Sequence, residues 1–95
     1  MTAFLLRKAL ESCMYDFWLH TRPGVERCRM HTQVLCLTRY AGESTARRVS
    51  GAWAALSAAC HHHGYELGPT AGELRALHDE VRVLTGRLSP VPPSL

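Results

Sequence analysis

Two Cys-x-x-His pairs carry the most obvious chemical potential in this chain. Cys28-x-x-His31 and Cys60-x-x-His63 repeat one spacing on two predicted helices. Residues three apart share a helical face, so each pair can offer a thiolate and an imidazole to one ion. Two such pairs complete a tetrahedral Cys2His2 set of the kind that holds zinc. The spacing does not settle the matter. Zinc sites of this composition usually place one pair on a tight knuckle or hairpin, and cysteines are equally at home as small core hydrophobes. Histidines at a helix C-terminus are favoured there by the macrodipole alone. In the run Cys60-His61-His62-His63, only Cys60 and His63 face inward on a helical wheel. His61 and His62 would point away from any buried ion.

The same residues offer a Cys-His nucleophile in principle. Cys60, set inward among alanines, would carry a raised pKa and be inert. No third group stands at a recognisable spacing, so the chain reads as leaning away from catalysis. Arg47 and Arg48 form a second candidate, an anion site at the start of a helix, with Arg29 and Arg39 nearby. A basic regulator that touches nucleic acid follows from that reading and is the least favoured one. The sequence has no short helix-turn-helix joint, no basic recognition helix and no glycine-rich phosphate loop.

The elements that must position these residues are helices. Thr2 can cap a first one running to about residue 20, stopped by Arg22-Pro23-Gly24. Leu6, Ala9, Leu10, Cys13, Met14 and Phe17 share one face of it, while Phe4, Tyr15, Trp18 and Leu19 spread around the flank and back. A helix apolar on more than one side needs a second covering surface, from its own chain or from another subunit. Residues 32–38 are rich enough in β-branched types to pass for a strand. However, Met30, Val34, Leu37 and Ala41 make a helical stripe, and no partner strand is evident, so residues 25–41 read as helix.

Ser44 or Thr45 is expected to cap a third helix over 45–63, with Gly64 and Tyr65 closing it. Thr70 and Glu73 have capping-box spacing at the start of a fourth helix, 71–88. There Leu74, Leu77, Val81, Leu84 and Leu88 recur in 3-4-3-4 order, a seam for left-handed helix pairing. Residues 90–95, Pro-Val-Pro-Pro-Ser-Leu, cannot continue it and read as a loose tail.

Ninety-five residues fit one small domain, assigned here to 1–89. A hydrophobic content of 46% excludes a disordered chain, and a net charge of +3 is too small for a dedicated nucleic-acid binder. Ten arginines stand against a single lysine, Lys8, a bias that weakens arguments from arginine type alone. No apolar run approaches a membrane span, and the opening Met1–Leu6 meets Arg7 and Lys8 too soon for a signal peptide. The four cysteines are therefore read as reduced and the chain as cytoplasmic.

The expected fold is all-α, a small bundle of four helices with short loops. The expected function is a protein-interaction module that associates with itself or with another protein. Tyr15 and Trp18 on the first helix, and Leu74, Leu77, Val81, Leu84 and Leu88 on the fourth, are its candidate partner-binding residues. The alternative is a metal-stabilised or metal-sensing bundle that uses Cys28, His31, Cys60 and His63.

Overall fold

A computed structural model describes residues 2–61 and 68–89 of the chain. The described residues form four helices: α1 (Ala3–Thr21), α2 (Met30–Ala41), α3 (Glu43–Cys60) and α4 (Ala71–Leu88). A 3-10 turn, Val25–Arg27, stands between α1 and α2, and there is no strand among the described residues. The expected small helical bundle is what the chain adopts. None of these helices is long and apolar enough to cross a membrane. The expected proline-rich tail, the Gly64 stop and the Tyr65 cap lie outside the described residues.

The helix ends follow from local chemistry. At the start of α1 the Leu5 amide donates to Thr2 Oγ1 at 3.2 Å. At α4 the capping box forms as expected: the Glu73 amide donates to Thr70 Oγ1 at 3.0 Å, and the Thr70 amide donates to Glu73 Oε1 at 3.2 Å. Two orphan amides are thereby satisfied reciprocally.

Two boundaries differ from expectation. α2 begins at Met30 rather than residue 25, because Gln33 captures the segment before it. Its Nε2 donates to the Cys28 carbonyl at 2.7 Å and to the Glu26 carbonyl at 3.4 Å, which holds that stretch out of the helix. Gly24, at φ 111°, supplies the left-handed turn that aims the chain into this segment. α3 begins at Glu43 rather than after a Ser44 or Thr45 cap, because Gly42 alone separates α2 from α3. Its φ of 93° reverses the chain in one residue, a conformation that L side chains rarely adopt. Thr45 is instead buried, and its hydroxyl accepts from Arg87 Nη1 of α4 at 3.3 Å.

The core lies between α1, α3 and α4. α1 contributes Leu6, Leu10, Met14, Phe17 and Trp18; α3 contributes Val49, Ala52 and Leu56; α4 contributes Val81, Leu84 and Leu88. Small residues such as Ala46 and Ala52 allow α3 to approach its neighbours closely. α2 packs along α3 and closes the core with Leu37, which is fully buried.

Candidate functional site

The expected metal ligands fall in three different settings. Cys28 follows the 3-10 turn in extended conformation and is exposed, while His31 lies exposed in the first turn of α2. The two therefore do not share a helical face, since the Gln33 contact ends the turn between them. Cys60 is the last residue of α3, half-buried beside an apolar groove that Phe4, Pro69 and Leu74 also line. His63 lies outside the described residues. Among the described residues no three or more His, Cys, Asp or Glu side chains gather closely enough to hold a metal ion. Cys28, His31 and Cys60 are thus not brought into one coordination sphere.

All four cysteines are free thiols. Burial pushes the Cys13 thiol up from its ordinary value, partly offset by a hydrogen bond with Thr85 on α4 and reinforced by the Asp16 charge. A thiol held protonated in this way is a packing group rather than a nucleophile.

Arg47 and Arg48 each meet a carboxylate. Arg47 pairs with Glu43 one turn earlier on the exposed side of α3. Arg48 reaches α4, where its Nε donates to Glu80 Oε2 at 2.9 Å and its Nη2 to Glu80 Oε1. The Arg48 hydrogen bonds hold the Glu80 carboxyl below the usual carboxylate range. Both guanidiniums thus have carboxylate partners inside the chain, which reduces the positive field that an external phosphate would meet.

The candidate interaction residues divide between core and surface. Val81, Leu84 and Leu88 are buried in the chain's own core, and Leu74 and Leu77 pack half-buried against it. The leucine seam of α4 is therefore covered by α1 and α3, and most of it offers no surface to a partner. Trp18 is also internal, at 0% exposure. Its ring meets Phe17 edge-on at 4.9 Å and Tyr40 of α2 at 5.6 Å. Tyr40 supplies the second covering surface that α1 was expected to need at this position.

Elsewhere on α1 the outward face is only partly covered by the described chain, Phe4 and Tyr15 standing at its edges beside a groove and a cleft. Phe4 is 56% exposed, Leu5 53%, Tyr15 51% and Leu19 40%. Lys8, Ala9, Ser12 and Asp16 lie among them and are exposed as well, Ala9 contrary to its expected place on the inner stripe. At 100° per residue all eight fall within an arc of about 140°. Leu5 was not among the expected partner-binding residues, although the same wheel places it between Ser12 and Asp16. The signal was present in the sequence but was obscured by the continuous apolar run Ala3–Leu6.

Next to this face, Arg7 is held by three groups. Its guanidinium carbon stands 4.9 Å from the centre of the Trp53 ring, its Nε 3.7 Å from Glu11 and its Nη1 3.5 Å from His61 Nε2. The Trp53 and His61 contacts tie α1 to the C-terminal half of α3, and Arg7, Glu11 and Trp53 line one side of an open cleft of about 420 Å³. Tyr15 stands at the same cleft, with Cys28 and Gln33 opposite.

Comparison of the chain with family models, with curated proteins and with solved structures gives no match.

Proposed function

We propose that the chain is a small helical protein-interaction module that self-associates and acts through the outer face of α1 rather than by catalysis. The observation that carries this reading is the placement of Phe4, Leu5, Tyr15 and Leu19, four large apolar side chains left substantially exposed on one helix face. The core beneath them is already complete, with Leu6, Leu10 and Met14 fully or almost fully buried. Scattered exposed apolar residues are ordinary, but a contiguous set along one helix marks a surface that another helix can cover. Four free thiols are in keeping with a reducing, cytoplasmic setting.

The reading is tested by placing a photo-reactive side chain at position 15 and, as control, at Arg82 on the exposed side of α4. The position-15 protein is expected to give a discrete adduct, with itself in pure solution or with a protein of its native cell. The adduct should disappear when Leu19 is changed to Glu, and position 82 should give none. Equal labelling from both positions, or none from position 15 in either setting, overturns the reading.

A further inference from the structure

Resting on that reading, we infer that the occupant of the α1 face is α1 of a second copy, packed antiparallel about a two-fold axis through Ser12. The face has the symmetry that such a pair requires. Leu5, Ser12 and Leu19 recur at seven-residue spacing along its centre line, and all three are exposed. This heptad spacing is what keeps a seam in register along two helices. An antiparallel two-fold through Ser12 brings Leu5 opposite Leu19 of the second copy and Leu19 opposite its Leu5. It also brings the two Ser12 residues together at the centre, where a small side chain permits close approach of the backbones.

The charges select this arrangement. Lys8 and Asp16 flank the centre line, four residues before and after Ser12. In the antiparallel pair each Lys8 stands level with Asp16 of the second copy, so two opposite-charge contacts form by symmetry. A parallel pair would set Lys8 beside Lys8 and Asp16 beside Asp16. Asp16 has no ion-pair partner among the described residues, while Lys8 has Glu11 at 3.4 Å, a carboxylate that also pairs with Arg7. One helix face gives an interface below about 1,200 Å² in total, the size of transient complexes, so the dimer is a weak one.

Charge exchange tests the register. Lys8→Glu and Asp16→Lys each convert two attractions per dimer into two repulsions, and each alone is expected to weaken dimerisation about tenfold in sedimentation equilibrium. The double variant K8E/D16K restores both contacts and should dimerise as the wild type does. An equimolar mixture of the two single variants should form heterodimers more tightly than either variant forms homodimers. Helicity measured in parallel separates these effects from unfolding, which neither the double variant nor the mixture would repair. A wild-type chain that remains monomeric up to about 1 mM overturns the inference. So do single variants that dimerise like the wild type, or a mixture with no heterodimer preference. A position-15 adduct formed only with another protein overturns the second copy as occupant while the interaction reading stands.

Discussion

Arg48 of α3 grips Glu80 of α4 with two parallel hydrogen bonds that tie the two helices together. Bidentate geometry fixes the guanidinium plane against the carboxylate, so the pair sets the rotation of α4 on α3 as well as their separation. The Glu80 carboxyl titrates below its unfolded value, chiefly because Arg48 hydrogen-bonds to the ionised form. Its contribution to stability is therefore present above the ordinary carboxylate range and is lost as pH falls through the folded value. Glu80→Gln is expected to lower Tm by a few degrees near neutral pH. In acid, where the wild-type carboxyl is protonated too, the two melting curves should converge. A difference that persists undiminished in acid would mean that Glu80 acts by packing and not by charge.

Gly42 and Gly51 give opposite expectations for the same substitution. A Cβ at either position meets nothing within 4 Å, so backbone conformation decides. Gly42 has φ 93° at the one-residue joint, and Gly42→Ala should cost about 1–3 kcal/mol. Gly51 is exposed in the middle of α3, and Gly51→Ala should stabilise by about 0.5–1 kcal/mol. Denaturant titration of the two variants beside the wild type checks both signs.

The α4 cap has a similar scale. Thr70→Ala removes the acceptor for the Glu73 amide and should cost about 0.5–2 kcal/mol, while Thr70→Ser retains most of it. Amide hydrogen exchange should show the loss concentrated in the first turn of α4. Uniform loss of protection along the helix would contradict the local account.

The four thiols should separate by reactivity. Cys28 is exposed and is expected to be alkylated first, whereas Cys13, with its thiol pushed up by burial between α1 and α4, should be slowest. Gln33→Leu frees the Cys28 carbonyl from its clamp and should accelerate labelling of Cys28 while leaving Cys13 unchanged. Mass mapping of partially labelled protein reads the order directly.

Much of the fold was legible because it rests on local rules. The Thr70–Glu73 spacing forms the capping box that it encodes, and residues 32–38 follow their helical stripe instead of their β-branched composition. What escaped depends on contacts between distant positions. Periodicity does not show that the Gln33 amide will bond the Cys28 carbonyl and split the second helix, separating Cys28 from His31. Nor does it show that Tyr40 will cover Trp18, since on a wheel of α1 alone Trp18 looks as available as Tyr15. The leucine stripe of α4 was visible, but whether a stripe faces its own chain or a partner is a property of the other helices. The surplus on α1 was visible as well, but which part of it the chain covers is decided by α2, which hides Trp18 and leaves Tyr15 half exposed.

The central claim, that the outer face of α1 is the surface by which this chain associates, is tested most directly by sedimentation of Leu5→Ser/Leu19→Ser beside the wild type. Both side chains are substantially exposed, so the variant should keep its helicity and melting temperature. It is predicted to remain monomeric at concentrations where the wild type is dimeric. A variant that keeps the wild-type mass distribution, fully folded, would contradict the account.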